Sequence, residues 1–306
     1  DGAIYALDTT GELGWKYRTD GWVSATPVLH GENLYVGSQD GVFYALAAKS
    51  GELVWRYRTR GRIEAGAAVT DKLIVFASTD GYVHALDLES GQRQWDFYTG
   101  GAVIAAPVVG GNRVYAASLN RTLHTLDATQ GDLLWTFTAE TAMGATPAVT
   151  NAAVFIGTDD GTILALSTEN GRPVWQQATG EMIRSTPTIW NGLLFVGTNS
   201  GNLYALDSQS GTILWNYRLG GTIAQGPTID DDRLYVGSTA RSVQAFDLGA
   251  LHLLQPPSVA VSAPIDAQTL NGQESAALYA ERSQGMASIR EYQRLWSAKA
   301  AMPDID

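Results

Sequence analysis

Six tryptophans recur at a fixed spacing of forty residues in this chain of 306 residues. They are Trp15, Trp55, Trp95, Trp135, Trp175 and Trp215. A glycine stands four residues before each of them, and a segment such as Tyr44-Ala45-Leu46 precedes that glycine. A constant period of about 40 residues over most of a chain is typical of a repeat architecture.

Each forty-residue unit reads as four short strands. In the unit that contains Trp55, these are Pro27-Val28-Leu29, Leu34–Gly37, Val42–Leu46 and Leu53–Tyr57. The last of them alternates apolar and polar residues, which is the period of a half-buried strand. Asp-Gly and Ser-Gly pairs between the strands tolerate the positive φ of tight hairpins. Four antiparallel strands repeated radially predict an all-β fold, the β-propeller.

The unit resembles the quinoprotein-like (PQQ-like) repeat, whose tryptophan-docking motif is Ala-x-Asp-x-x-x-Gly-x-x-x-Trp. Ala85, Asp87, Gly91 and Trp95 match that motif. The resemblance covers residues 1–247 and implies that each motif tryptophan packs against the next blade. A repeated aromatic residue is normally part of the core, so we interpret the six tryptophans as structural docking residues and not as rings that stack on a ligand.

The number of blades depends on how the ends of the chain are assigned. The third-strand motif occurs seven times, at residues 4–8, 43–47, 83–87, 123–127, 163–167, 203–207 and 243–247, whereas the tryptophan strand occurs six times. We expect seven blades, with the incomplete N-terminal blade completed by the segment after Leu248. Two alternatives remain: six blades, if the Trp15 strand completes the last unit, or a fragment of an eight-bladed propeller.

Charge and composition narrow the classes of partner. With 31 acidic and 20 basic residues the net charge is −11, which argues against nucleic acid and anionic membrane surfaces as partners. The sequence contains no run of 18 apolar residues, which is the length that a membrane-spanning helix needs. The absence of cysteine excludes disulfides and thiolate metal sites. The sequence starts at Asp1 without a signal peptide, so we expect a processed or excised chain, with room for a lipid anchor or a membrane segment upstream.

The last part of the sequence departs from the repeat. We expect a linker at 248–272 and a helical C-terminal tail at 273–306, in which apolar residues recur at spacings of three and four. These are Met286, Ile289, Tyr292, Leu295 and Trp296. A rival interpretation is a degenerate blade, because Leu278-Tyr279-Ala280 and Leu295-Trp296 resemble blade strands. These apolar residues either pack on the propeller as a cap or dock a partner protein. We favour docking and include Tyr292 and Trp296 among the candidate partner-binding residues.

Motifs for catalysis are missing from the sequence. It has no Gly-x-Ser-x-Gly, no His-Glu-x-x-His and no P-loop. His84 and His124 stand where other units have Tyr44 and Tyr204, so we expect them to be strand residues and not metal ligands. Quinone-dependent dehydrogenases of this family bring an adjacent Cys-Cys pair, a calcium ion held by Glu and Asn, and an Asp base, none of which can be matched here. We therefore expect no catalytic residues, no bound cofactor and no metal.

A binding or scaffold function remains. The size of the chain and its lack of cofactor residues resemble the β-barrel assembly lipoproteins of this family, which are periplasmic and hold a partner protein through loops on one face. The chain departs from them in lacking the lipid-bearing N-terminal cysteine and the full set of eight blades. The alternative is a ligand-sensing ectodomain of a larger receptor or kinase. The resemblance implies a periplasmic or extracellular location.

Candidate partner-binding residues are sought where the units differ, since repeats conserve the blade and leave the loops free to vary. Three residues before the proline position the units carry Ser24, Glu64, Ile104, Gly144, Arg184 and Ala224. Glu64 and Arg184 are three units apart and are expected on opposite sides of the central axis. Neighbouring loop positions add Trp22, Arg60, Arg62, Glu181 and Gln225. Besides a partner-binding patch, an ordinary solvated channel mouth would have the same composition.

Overall fold

The computed structural model describes residues 1–249, which form twenty-five β-strands and no α-helix. Sheet by sheet, the strands are β1 (Ala3–Leu7) and β2 (Leu13–Arg18); β3 (Val28–His30), β4 (Asn33–Gly37), β5 (Val42–Ala47) and β6 (Leu53–Arg58); β7 (Ala68–Val69), β8 (Leu73–Ala77), β9 (Tyr82–Asp87) and β10 (Arg93–Tyr98); β11 (Val108–Gly110), β12 (Arg113–Ala117), β13 (Thr122–Asp127) and β14 (Leu133–Thr138); β15 (Ala148–Val149), β16 (Ala153–Gly157), β17 (Thr162–Ser167) and β18 (Pro173–Ala178); β19 (Thr188–Trp190), β20 (Leu193–Gly197), β21 (Asn202–Asp207) and β22 (Ile213–Arg218); and β23 (Thr228–Asp230), β24 (Arg233–Ser238) and β25 (Ser242–Asp247).

Every sheet is an antiparallel meander of strands that follow one another in sequence. Five sheets have four strands, the last described sheet has three (β23–β25), and the first has two (β1–β2). These seven sheets confirm the predicted all-β propeller with seven units. The Trp15 strand, β2, pairs with β1, and no described strand pairs with the outer edge of β25. The six-blade alternative, in which β2 would complete the last unit, is therefore not the arrangement of residues 1–249.

The hydrophobic core lies between neighbouring sheets. The third strand of a unit is buried on both faces, so that Phe43, Ala45 and Leu46 are all completely buried. Phe43 stacks on Phe76 of the next sheet, with ring centroids 4.0 Å apart and planes 3° from parallel. Burying such a side chain contributes about 1.5–3 kcal/mol relative to leaving it in water. The units thus hold one another together, as expected for a repeat protein.

A second contact between sheets involves the motif tryptophans. The indole Nε1 of Trp15, Trp55, Trp95, Trp135 and Trp175 donates a hydrogen bond of 2.9–3.1 Å to the carbonyl oxygen of Ala48, Leu88, Ala128, Thr168 and Ser208 respectively, each in the next unit. Each ring also lies against the glycine in the hairpin between that unit's third and fourth strands. A Cβ built on Gly51, for instance, would lie 2.5 Å from a ring atom of Trp15. Only glycine leaves room for this contact.

The histidines that the sequence places in strands lie there. His84 is in β9 and His124 is in β13, and both are buried. Leu248, at the end of the described residues, is completely buried in the core of the last sheet, and its N–H donates to the carbonyl of Asp232. The core of the propeller therefore reaches one residue beyond Asp247. The expected linker and helical tail, 248–272 and 273–306, lie outside the described residues from residue 250 onward.

Candidate functional site

One end of the strands carries all the loop residues that the sequence analysis selects. Each outer strand leads into a connection that crosses to the inner strand of the next unit, as residues 59–67 do between β6 and β7. The hairpins between second and third strands, such as residues 38–41, lie at the same end because the strands are antiparallel. We call this end the loop face. The other two hairpins of each unit, such as residues 48–52, lie at the opposite end.

Trp22 is the most exposed tryptophan among the described residues, with 71% of its surface accessible. Its backbone is fixed, because its carbonyl oxygen accepts hydrogen bonds from the Gln39 N–H at 2.8 Å and from the Ser38 hydroxyl at 3.4 Å. The Gln39 side chain in turn donates to the Ser24 hydroxyl at 3.1 Å. The indole therefore projects from an anchored backbone, which lowers the entropy lost when it binds another surface.

A polar cleft of about 320 Å³ is lined in part by Gln39, whose N–H binds the Trp22 carbonyl. Its lining residues are Gln39, Asp40, Gly41, Arg58, Thr59, Arg60, Gly61, Arg62 and Thr79. Gln39 thus connects the cleft with Trp22. The structure brings the predicted residues Arg60 and Arg62 together in this cleft and adds Arg58, which the sequence analysis does not select.

The neighbouring hairpin binds the backbones of Arg60 and Arg62, whereas the Arg62 side chain makes only a long ion pair. The Arg60 N–H donates to the Asp80 carboxylate at 2.9 Å, and the Arg62 N–H donates to the Thr79 hydroxyl at 2.8 Å. The Arg62 guanidinium lies 3.8 Å from the Glu64 carboxylate, and the Arg62 side chain is 63% exposed. An exposed pair at this distance contributes little to stability, so the Arg62 guanidinium is available to a ligand.

A second cleft, of about 310 Å³, lies on the other side of the same segment. It shares Arg58, Thr59 and Arg60 with the first cleft and adds Tyr57, Asp80, Tyr82, His84, Arg93 and Asp96. Arg93 and Asp96 form a salt bridge of 2.6 Å within it. The Arg58–Arg60 segment therefore has a polar cleft on each side.

Glu64 and Arg184 each bind a neighbour on their own side of the loop face. Arg184 makes a two-point contact with Asp159, from Nε to Oδ1 at 3.1 Å and from Nη2 to Oδ2 at 2.9 Å. This hydrogen bonding raises the pKa of the Arg184 guanidinium. Glu64 lies in ion-pair range of Arg62. A backbone carbonyl of Glu64 also accepts a 3.4 Å hydrogen bond from Ser24, which places these loops of adjacent units in contact.

Glu181 and Gln225 have different surroundings. The two carboxylate oxygens of Glu181 accept hydrogen bonds of 2.6 Å from the Thr198 hydroxyl and the Asn202 side chain. Glu181 thereby ties its loop to the adjacent hairpin and is satisfied locally. Gln225 is exposed. Neither residue lines the clefts beside Trp22, and the other predicted partner-binding residues, Tyr292 and Trp296, lie outside the described residues.

Besides Arg58, sequence reasoning missed four hairpin residues that contribute to this surface. Gln39, Asp40 and Thr79 come from the hairpins between second and third strands, and Asp159, the partner of Arg184, comes from the same hairpin of another unit. A signal was present in the sequence, because this hairpin differs between units, as Gln39-Asp40, Thr79-Asp80 and Asp159-Asp160 show. The sequence did not indicate which loop between units each of these hairpins contacts.

The loop face presents side chains that are chemically suited to binding. Trp22 offers a flat apolar surface, and Arg58, Arg60 and Arg62 offer planar donors that suit carboxylates and carbonyl groups. In residues 1–249 no three His, Cys, Asp or Glu side chains are grouped so that they could hold a metal ion. The same residues contain no helix that could serve as a membrane span.

Comparisons with known proteins agree with this architecture. The family model described as outer membrane protein assembly factor BamB matches residues 1–102, 79–190 and 181–304. The crystal structure of BamB from Moraxella catarrhalis superposes with a TM-score of 0.66 at 24% identity, over 76% of this chain and 74% of that one. The computationally designed protein Ika8 superposes with a TM-score of 0.71 at 16% identity, over 78% of this chain and 75% of that one. No curated protein sequence matches significantly.

Proposed function

The chain belongs to the family of the outer membrane protein assembly factor BamB, and on that premise we propose that it is a non-catalytic scaffold that holds a protein partner on its loop face. The observation that carries the proposal is that Gln39 links the exposed Trp22 to a cleft lined by Arg58, Arg60 and Arg62. Tryptophan and arginine are the residues most enriched among those that dominate binding energy at protein interfaces.

The partner surface follows from this chemistry. An apolar side chain would cover the Trp22 ring, and backbone carbonyls or carboxylates would accept hydrogen bonds from the arginines. The remaining face candidates, Glu64, Glu181, Arg184 and Gln225, would form the polar rim of the contact, where charges set orientation more than affinity. We place this function in the periplasm, in the assembly of outer membrane proteins, because that is the role that the family's name gives to its members.

Site-specific cross-linking in cells tests the proposal. A photoreactive amino acid at position 22 is expected to capture one protein, whereas the same amino acid at Lys49, on a hairpin at the opposite end of the strands, is expected to capture none. Lys49 is a suitable control because its side chain is 90% exposed. Replacing Arg60 and Arg62 together by Ala should weaken capture at position 22, and replacing Lys49 and Arg172 by Ala should not. Equal capture at positions 22 and 49 would contradict the assignment of the loop face.

A further inference from the structure

The second polar cleft, which we call the Arg93 cleft, lies between two consecutive sheets. Its lining comes from the end of β6 and the residues after it on one side, and from β9, β10 and the hairpin before β9 on the other. Its volume of about 310 Å³ falls within the range of small-molecule sites in proteins, which begins at about 300 Å³. The proposed partner contact lies at the first cleft and gives the Arg93 cleft no role.

Residues that depart from the repeat meet in this cleft. Among the six residues at forty-residue spacing, Asp96 is the only acidic residue at its position and Arg60 is the only basic residue at its position. Arg93 is the only charged residue at its position, where the other units have Leu13, Leu53, Leu133, Pro173 and Ile213. The repeated fold requires none of the three, because the other units form the same sheets without them. Their meeting in one cleft therefore points to a function of that cleft.

The arginines of the cleft keep most of their hydrogen-bond donors unused. The Arg60 side chain makes no ion pair among the described residues. Arg58 donates from Nη1 to the Asp40 carbonyl oxygen at 3.3 Å, and Arg93 donates from Nη1 to the Asp96 carboxylate at 2.6 Å. Since each guanidinium carries five N–H groups, donors remain for an acceptor that enters the cleft.

The charge of the lining favours a ligand with a single negative charge. The lining contains three arginines and two aspartates, Asp80 and Asp96. Burial lowers the pKa of His84 below its ordinary value of 6.5, so this residue is neutral at pH 7. The cleft thus has one net positive charge in a chain whose net charge is −11. A second negative group on the ligand would be repelled by the aspartates.

An aromatic wall and two unsatisfied nitrogens complete the cleft. The ring centroid of His84 lies 5.5 Å from that of Tyr57 and 5.8 Å from that of Tyr82. His84 is only 5% exposed, and neither of its ring nitrogens has a hydrogen-bond partner among the described residues. In the preceding unit the equivalent Tyr44 is satisfied, since its hydroxyl donates to Asp40 at 2.8 Å. Buried polar groups normally have a partner, and a ligand in the cleft can supply the one that His84 lacks.

We propose that the Arg93 cleft binds a small monocarboxylate whose remaining part is flat and uncharged. The carboxylate accepts paired hydrogen bonds from the arginines, whose planar donors match its shape. The flat part lies beside the rings of Tyr57 and Tyr82. Inorganic phosphate fits less well, because it has no flat part and brings more negative charge toward the aspartates. The site is independent of the proposed partner contact, since Trp22 and Arg62 do not line it.

Calorimetric titration of the full chain with hippurate, an aromatic amide with one carboxylate, tests the proposal. We expect saturable binding with a dissociation constant of about 1 mM or below, as is typical of a ligand of this size. Hippuramide, which lacks the charge, and inorganic phosphate should each bind about tenfold more weakly or worse. Hippuramide or phosphate that binds as tightly as hippurate, or no saturation by about 10 mM hippurate, would overturn the proposal.

Variants of single arginines locate the binding. Arg93→Leu introduces the residue that other units have at this position, and Arg60→Ala removes a side chain without an ion pair; each should weaken hippurate binding about tenfold or more. Arg172→Leu is the matched control, because it removes an exposed arginine from a hairpin at the opposite end of the strands. All three variants should melt like the parent, since the replaced side chains are exposed. If Arg93→Leu and Arg60→Ala bind hippurate as tightly as Arg172→Leu does, the ligand does not occupy the Arg93 cleft and the proposal is wrong.

Discussion

The indole nitrogen of Trp95 lies 3.1 Å from the carbonyl oxygen of Ala128, across the boundary between two consecutive sheets. The ring packs on Gly131, where a Cβ would come within 2.6 Å of it. The donor, its acceptor and the glycine stand in the same relation at four further boundaries. A single contact, repeated with the forty-residue period, therefore links the units.

Replacing Trp95 by Ala should lower the free energy of unfolding by about 3–5 kcal/mol, because it removes a large buried ring and leaves the Ala128 carbonyl without its donor. Urea denaturation of the purified protein measures this. Trp22→Ala is the matched control: Trp22 is exposed, so its removal should leave unfolding nearly unchanged. Equal stabilities for the two variants would refute the structural role of the repeated tryptophans.

Arg121 occupies a hairpin position where Gly41, Gly81, Gly161 and Gly201 stand in other units. It has the left-handed φ of +74°, which is strained for a residue with a Cβ. Arg121→Gly should therefore raise the free energy of unfolding by about 0.5–1 kcal/mol. Arg172→Gly, at a position without positive φ, should instead lower it. Calorimetry of both variants checks the prediction, and destabilisation by Arg121→Gly would show that the arginine makes a compensating contact.

The stability should also depend on His84 in mildly acidic solution. Burial lowers the pKa of His84 below its ordinary value of 6.5, because the ring lies among Tyr57, Phe76 and Tyr82 and neither nitrogen has a hydrogen-bond partner among the described residues. Asp80 and Asp96 raise that pKa and Arg93 lowers it, but desolvation is the largest effect.

Since the unfolded chain takes up a proton on this histidine more readily than the folded chain, stability should be complete above about pH 6.5 and fall as the pH drops toward the folded pKa. Burial lowers the pKa of His124 in the same direction. In His84→Tyr the loss between pH 7.5 and 5.5 should be smaller than in the parent, since the equivalent Tyr44 is accommodated with its hydroxyl 2.8 Å from Asp40. Urea unfolding at the two pH values tests this. If His84→Tyr loses as much unfolding free energy between pH 7.5 and 5.5 as the parent does, His84 does not contribute to the pH dependence of stability.

The non-catalytic part of the proposed function has its own test. Pyrroloquinoline quinone with calcium should neither support dye-linked oxidation of alcohols nor change the melting temperature. Any ligand that binds the native state tightly would raise the melting temperature by mass action. A clear stabilisation by the quinone would restore the dehydrogenase hypothesis.

Most of the fold could be predicted because a repeat supplies the same information many times. The period places Trp95 and Gly131 in consecutive units, and the alternation around Trp55 indicates an outer strand. The sequence also placed Arg60 and Arg62 together, since they share one connection. It could not predict that Arg184 would bind Asp159, because the pairing of a charged loop residue with a neighbouring hairpin depends on loop geometry that the repeat leaves free.

The ends of the chain were less predictable for a related reason. The repeat predicts how a unit packs against the units before and after it. The first and last units of the sequence each have only one such neighbour, so the repeat does not predict what packs on their other side. Leu7 and Val243 are apolar, like the completely buried Leu46 and Val83 at the equivalent positions of complete units, and only the structure shows that Leu7 and Val243 are exposed. The pattern of the Trp296 segment was compatible with both a helix and a blade strand.

The most direct test of the scaffold is the affinity for the protein captured at position 22. Trp22→Ala should weaken binding of that protein at least about 30-fold, the loss expected when a central aromatic residue of an interface is truncated. Leu133→Ala, which removes an exposed apolar side chain from β14, should leave the affinity within about twofold of the parent. If Trp22→Ala binds as tightly as Leu133→Ala, the partner does not use the loop face and the central claim is wrong.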